Sequence, residues 1–166
     1  MVTCFPHRMR GEGQFAALFR RKSEAEALIS QDRSLPKPDK VQLSILRAFC
    51  REAPAPTAVY GDTLVALPDC PDLTGLRVLR VGLHLGTVRG KLFLPDHAWA
   101  VCDQPPAFPR VSVTEKQAES YQHGDAMAVK VNVSGFVLPE LKGLALGWGK
   151  VSDGMMKNHY PKGLRR

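Results

Sequence analysis

Cations and aromatic rings are interleaved over the last two dozen residues of the chain. From Leu141 onward the sequence contains six Lys or Arg and one acid, Asp153, so this segment carries +5 of the chain's net charge of +7. Trp148, His159 and Tyr160 lie among these cations. Ammonium and guanidinium groups neutralise phosphates, and flat rings stack on bases. The sequence therefore predicts a nucleic-acid-binding segment at the carboxyl end.

Nine residues of this tail are predicted to contact RNA. Glycines lack a Cβ atom, which would let a phosphodiester backbone lie close to the strand, and neighbouring lysines would supply charge. Of the rings, His159 is the favoured base contact. The predicted residues are Gly147, Gly149, Lys150, Lys157, Asn158, His159, Tyr160, Lys162 and Arg165.

Each of these residue types also has a purely structural interpretation. Glycines can bend a barrel strand tightly, and a tryptophan such as Trp148 is more often core than a stacking platform. Asn158 can satisfy backbone groups at a turn while Tyr160 packs. The terminal Lys and Arg can simply face water. At this level both interpretations stay open.

Two further basic groups lie outside the tail. Arg77, Arg80, Arg89 and Lys91 flank the central strands and could extend a phosphate track, although such residues commonly face solvent. His7, Arg8 and Arg10 form a third group, to which we assign charge alone.

Neither metal nor catalytic chemistry is indicated by the remaining reactive residues. Cys4, Cys50, Cys70 and Cys102 form no CxxC pair and have no nearby His pair. The five histidines and sixteen acids are scattered, so no Ser/His/Asp set stands out. No apolar run approaches the ~18 residues of a membrane span, and no secretory leader is visible. We therefore expect a cytoplasmic protein without a membrane partner.

Capping and turn signals place the elements of the first half. Asp39 with Gln42 predicts a helix over residues 39–52, whose apolar face is Val41, Ile45, Leu46, Phe49 and Cys50. Residues 57–67 alternate around Gly61-Asp62 as a hairpin. Strands are predicted at 76–81 and 83–89 with breaks at Gly82 and Gly86, then at 92–94 after a turn. A short helix follows through Cys102.

The pattern of the second half predicts a small barrel. A strand at 111–113 precedes a helix that opens with the Thr114–Gln117 capping box and ends at Gly124. Residues 128–133 and 136–138 are predicted to pair around Ser134-Gly135, and residues 144–151 with 155–156 around Asp153-Gly154. Short strands with frequent turns and short helices favour a barrel.

The tail also carries a family resemblance. Residues 147–150 (GWGK), 153–154 (DG) and 157–165 (KNHYPKGLR) closely resemble the end of the RsmF-like branch of the Sun family of ribosomal RNA cytosine-5 methyltransferases. In that family the segment closes a PUA-like RNA-binding domain. Pro6-His7, Gly11-Glu12-Gly13 and Phe15 are similar to the last strand region of the family's catalytic domain.

This resemblance implies an α+β fold, with a small β-rich connecting domain followed by a PUA-like mixed β-barrel with short helices. The implied domains are a catalytic-domain remnant (1–22), a linker (23–38), the connecting domain (39–94) and the PUA-like domain (95–166). The cofactor of the intact enzyme would be S-adenosylmethionine. The chain has neither the glycine-rich loop for that cofactor nor the proline-preceded cysteine nucleophile, so we expect no independent catalysis.

The predicted function is therefore to hold ribosomal RNA for a methyltransferase, and the second expected partner is the missing catalytic domain. Two alternatives remain open. The chain could be a protein-interaction module that docks on a separate catalytic subunit, or the sequence could be a truncated enzyme.

Overall fold

The computed structural model describes residues 2–4, 14–16, 35–56, 58–67 and 79–166, and the chain divides into the units Met1–Gln31 and Asp32–Arg166. The first unit contains β1 (Val2–Cys4) and β2 (Gln14–Ala16), which pair antiparallel with Thr3 opposite Phe15. A strand after the Gly-Glu-Gly segment is thus confirmed, whereas its origin in a catalytic domain stays a prediction. Residues 23–34 of the predicted linker lie outside the described residues.

The second unit begins with helix α1 (Lys40–Phe49), which confirms the predicted capping box. Asp39 Oδ1 accepts from the Gln42 backbone N–H at 2.7 Å, and Gln42 Oε1 accepts from the Asp39 N–H at 3.0 Å. Leu46 and Cys50 are buried, and Ile45 and Phe49 pack against them. The prediction for Val41 was wrong: this residue is 65% exposed, because it lies in the first turn of the helix, more than one turn before the buried Leu46.

A four-stranded antiparallel sheet packs against α1 in the order β3 (Ala58–Tyr60), β4 (Thr63–Ala66), β5 (Leu83–Arg89) and β6 (Leu92–Pro95). Both predicted turns of this sheet are confirmed, at residues 61–62 and 90–91. The break expected at Gly86 was wrong, since β5 runs through it. A Cβ at Gly86 would lie 2.3 Å from the Leu94 carbonyl oxygen, so the glycine permits a close approach of β6.

Residues 79–81 are not a strand, and Leu79 is 81% exposed, so the described end of the strand predicted at 76–81 was wrong. The predicted short helix is α2 (His97–Ala100), capped by Asp96, whose Oδ1 accepts from the Ala98 N–H at 2.8 Å. It ends before Cys102.

Six strands and one helix build the second, curled part of the fold. They are β7 (Arg110–Ser112), α3 (Glu115–His123), β8 (Met127–Ala128), β9 (Gly135–Leu141), β10 (Leu144–Ala145), β11 (Gly149–Ser152) and β12 (Met155–Asn158). The strand order is β10-β9-β11-β12-β8, with β7 parallel to β9. Together they form a half-barrel after the first sheet, as the expected α+β architecture requires.

Two local predictions for the half-barrel have different outcomes. Helix α3 has the predicted Thr114–Gln117 capping box, and Gly124 closes it with a φ of 103°. The hairpin predicted around Ser134-Gly135 was wrong: β8 pairs with β12, and β9 pairs with β7, β10 and β11. The three partners of β9, the longest strand of this sheet, lie both before and after it in the sequence.

An aromatic cluster joins the first sheet to the half-barrel. Trp148 lies 5.9 Å from Trp99 and 5.0 Å from Phe108, and Phe49 of α1 lies 5.9 Å from Trp148, measured between ring centroids. Both tryptophans are fully buried. The apolar stripe of α1 is therefore part of an internal core. Among the described residues, no helix has the length and apolarity to cross a membrane.

Candidate nucleic-acid interface

The β11–β12 ribbon has two chemically different faces. Lys150 is directly opposite Lys157 on one side and Phe136 of β9 on the other, so these three side chains share one face. We call Phe136, Lys150 and Lys157 the outer face. Val137, Gly149, Val151 and Met156 share the other face and are buried. The tail hairpin predicted from sequence is confirmed, with its first strand limited to Gly149–Ser152.

The outer face concentrates unneutralised charge. Ion pairs within the described residues involve Arg80, Arg110 and Lys142, and none of them includes Lys150 or Lys157. Lys150 Nζ lies 5.6 Å from the centroid of the Phe136 ring, which holds it over an apolar surface. Like charges directly across a strand pair destabilise the sheet. A polyanion bound here would relieve that repulsion.

His159 places an imidazole at the edge of this face. Its side chain is exposed, its ring centroid lies 5.2 Å from that of Phe136, and its backbone N–H donates to the Trp148 carbonyl at 3.1 Å. Partial burial and the nearby Lys150 cation lower the pKa of His159 below its usual value of 6.5. Near neutral pH the ring is therefore uncharged and offers one donor and one acceptor.

Gly147 and Gly149 have an internal role. A Cβ at Gly147 would lie 2.6 Å from the Tyr121 hydroxyl oxygen, and a Cβ at Gly149 would lie 2.6 Å from Met156 Sδ. Both residues are buried. The structural interpretation therefore accounts for them, and we leave them out of the contact surface.

Asn158 and Tyr160 hold the tail against α3. Asn158 Nδ2 donates to the carbonyls of Tyr121 (2.7 Å) and Asp125 (3.1 Å), while its Oδ1 accepts from the Tyr160 N–H at 2.7 Å. The Tyr160 ring packs edge-on against Tyr121 and His97. Both N–H groups of the Asn158 amide and one lone pair of its oxygen are engaged in these local bonds. These contacts favour a positioning role for Asn158.

Lys162 and Arg165, the last two predicted contacts, differ in whether they are bound within the tail. Lys162 begins a 3₁₀ turn (Lys162–Leu164) and is exposed. Arg165 donates to the Tyr160 carbonyl from Nε (3.4 Å) and from an Nη (3.3 Å), and its guanidinium lies over Gly124. Lys162 is thus available to a ligand, whereas Arg165 fastens the tail but keeps its charge at the surface.

The other basic groups are less concentrated. Arg80 pairs with Asp96 at 3.1 Å, and Arg89 and Lys91 are exposed at the β5–β6 turn. Arg77, His7, Arg8 and Arg10 lie outside the described residues. Groups of His, Cys, Asp or Glu able to hold a metal ion do not occur in the described parts of the chain.

Phe136 was missed by the sequence analysis. It belongs to an apolar strand and looks like an ordinary core residue until the pairing with Lys150 is known. The alternation of Lys150 with buried neighbours in β11 indicates that this strand has one exposed face. Only the pairing of β11 with β9 shows that Phe136 shares that face.

Two protein-family models match the chain. The RsmF rRNA methyltransferase first C-terminal domain matches residues 45–102, and the methyltransferase RsmF PUA domain matches residues 108–166. The first range contains the whole four-stranded sheet, α2 and the second half of α1, and the second range contains the whole half-barrel with its outer face. A catalytic methyltransferase domain is not found among the matches.

Proposed function

The chain belongs to the RsmF rRNA methyltransferase family, of which it carries the C-terminal part, and from this premise we propose that it binds ribosomal RNA through the outer face. In this proposal the PUA domain holds the RNA substrate in place for a catalytic domain that methylates cytosine at carbon 5. An rRNA substrate is also the reason to propose a cytoplasmic location.

The observation that carries the proposal is the cross-strand pair of Lys150 and Lys157 beside two partly exposed rings. Lys150 and Lys157 would neutralise adjacent phosphates, and Lys162 would extend this charge at the end of the tail. His159 would contact a base edge through its two ring nitrogens. Asn158, Tyr160 and Arg165 would act indirectly, by fixing the position of His159 and Lys162.

In the intact enzyme S-adenosylmethionine would supply the methyl group, and its binding site is not assigned to the described residues. A glycine-rich turn at a helix start is the usual support for such a cofactor. Helices α1, α2 and α3 are capped by Asp39, Asp96 and Thr114, and no glycine lies in the four residues before any of these caps. The proposed contribution of these domains is therefore substrate binding.

Salt-dependent RNA binding by the full chain tests the proposal. We expect the affinity for a structured small-subunit rRNA fragment, measured by fluorescence anisotropy, to fall steeply between about 50 and 200 mM salt. Each neutralised phosphate contributes about −0.7 to −0.9 to the slope of log K against log salt. Lys150→Glu with Lys157→Glu should weaken binding and make the slope shallower by about 1.4 to 1.8.

Lys142→Glu is the matched control. Lys142 is exposed and lies in the β9–β10 turn, where it pairs with Glu115 at 2.7 Å. The Lys142→Glu substitution changes the net charge by the same amount as each substitution in the β11–β12 ribbon, but its site lies outside the outer face. Equal loss of affinity in Lys142→Glu and Lys150→Glu, or a flat salt response of the wild-type chain, would contradict the proposal.

A further inference from the structure

We propose that a track of aromatic rings leads from the outer face to a cavity at the junction of the two domains, and that this cavity binds an unpaired RNA base. The inference rests on the proposed RNA-binding function and adds a second site to it. The four rings of the track are His159, Phe136, Phe49 and Phe108.

Successive rings of this track are in contact. The centroid distances are 5.2 Å from His159 to Phe136, 5.1 Å from Phe136 to Phe49, and 5.1 Å from Phe49 to Phe108. The three phenylalanines are only partly buried and His159 is exposed. Each ring of the track therefore belongs to a residue that is accessible in part, unlike the neighbouring Trp99 and Trp148, which are buried.

The cavity at the far end has the size and walls that suit a base. Its volume is about 330 Å³, and it is lined by Phe49, Cys50, Arg51, Glu52, Ala107, Phe108 and Pro109. Burial raises the pKa of the Cys50 thiol, so this wall is neutral and apolar. Aromatic walls with a few polar groups at the rim are typical of small-ligand sites.

Charge at the rim favours RNA over an apolar protein segment. Arg51 is exposed at the cavity, and Lys150 stands over Phe136 at the start of the track, so both ends of the track offer a cation to a phosphate. The Glu52 carboxylate, also exposed at the rim, can accept a hydrogen bond from an exocyclic amino group of a base. Base stacking on aromatic side chains with cations alongside is the usual mode of single-strand binding.

Photocrosslinking with the full chain tests this placement. The probe is a single-stranded oligoribonucleotide that carries one 5-iodouridine, with its complementary duplex as the comparison. Mass spectrometry should find cross-links on peptides that contain Phe49 or Phe108, at higher yield for the single strand. Cross-links confined to peptides of β11, β12 and the C-terminal tail would overturn the inference.

Affinity measurements provide the second arm. Phe108→Leu retains apolar volume but removes the aromatic ring, and we expect it to weaken single-strand binding by about fivefold or more. Phe93→Leu is the matched control: Phe93 contacts Phe49 at 4.9 Å in the same cluster, is only 6% exposed and does not line the cavity. Equal losses in the two variants would show a packing effect and overturn the inference.

Ala107→Glu keeps the test independent of the core. Ala107 is exposed at the rim, so a carboxylate there would repel phosphate without disturbing packing. Leu144→Glu, at a site that is 73% exposed and distant in sequence from the cavity lining, controls for net charge. We expect Ala107→Glu alone to weaken single-strand binding.

The results separate this inference from the proposed function. Salt-dependent binding of the rRNA fragment with no effect of Phe108→Leu or Ala107→Glu would leave the outer face in place and overturn the base site, whose aromatic surface would then suit a protein partner. Absence of any RNA binding by the wild-type chain would overturn both.

Discussion

The two faces of the β11–β12 ribbon are built from alternate residues of the same strands but have opposite chemistry. Gly149, Val151 and Met156 are buried against the half-barrel core, whereas Lys150 and Lys157 stand in solvent without an acidic partner among the described residues. A side-chain period of two separates the residues that stabilise the fold from those that can bind a ligand. Substitutions on the two faces should therefore change different measurements.

The largest effect is expected at Trp148, in the aromatic cluster that joins the first sheet to the half-barrel. Trp148→Ala removes a fully buried ring that contacts Phe49, Trp99, Phe108 and Phe136. We expect the free energy of unfolding, measured in urea, to fall by about 3–5 kcal/mol. A loss below about 1 kcal/mol would contradict the assignment of Trp148 to the shared core.

Gly147→Ala should produce the next largest loss. Its φ of 145° strains any other residue, and the new methyl group would meet the Tyr121 hydroxyl at 2.6 Å and the His97 ring at 2.9 Å. We expect about 1–3 kcal/mol of destabilisation from overpacking. Gly143→Ala is the comparison, because its φ is also positive but nothing lies within 4 Å of the added Cβ. Equal losses would assign the effect to backbone strain alone.

Asn158→Ala tests the link between the ribbon and α3. Removing the amide leaves the Tyr121 carbonyl, the Asp125 carbonyl and the Tyr160 N–H without their partner at this site. Such losses cost about 1–3 kcal/mol where the groups are shielded from water. RNA affinity should fall as well, since His159 loses its fixed position. Unchanged thermal stability would contradict the positioning role.

Outer-face substitutions should leave stability almost unchanged. Lys150→Gln with Lys157→Gln removes two like charges that lie opposite each other, so we expect the free energy of unfolding to rise by a few tenths of a kcal/mol, or about 1 kcal/mol at most. RNA affinity should fall in the same variant. A loss of stability as large as that of Gly147→Ala would show that the outer face supports the fold.

The smallest expected effect is a pH dependence. The pKa values of His84, His97 and His159 are lowered, first of all by burial, so the unfolded chain binds protons more readily than the folded chain. Stability is therefore complete above the unfolded pKa of about 6.5 and is lost as the pH falls through the lowered folded values. Urea unfolding at pH 7.5 and 5.5 checks this, and His84→Gln should reduce the difference.

Local signals predicted much of this fold, and non-local pairing explains the errors. The capping boxes at Asp39 and Thr114 and the turns at Gly61, Gly90 and Gly154 each depend on a few neighbouring residues. The partner of β8 is β12, almost thirty positions away in sequence, and nothing local distinguishes it from β9. The local turn signal at Ser134-Gly135 therefore predicted the wrong hairpin.

The candidate site likewise combines residues with a local signal and residues that depend on strand pairing. Lys150, Lys157 and His159 were predicted from charge and composition, which are properties of the tail itself. The interior positions of Gly147 and Gly149 and the role of Phe136 depend on strand register and on contacts with Tyr121 and Met156. Composition identifies a basic aromatic tail, but only the pairing tells which residues share a face.

The cluster formed by Phe49, Phe108, Phe136 and Trp148 also limits how these domains can be moved between proteins. A graft of residues 108–166 alone would carry Phe108, Phe136 and Trp148 away from the Phe49 ring that covers them. Such a transplant would expose aromatic surface and invite aggregation. The smallest portable unit for building a chimaera should therefore start at Asp39, the cap of α1, rather than at the domain boundary.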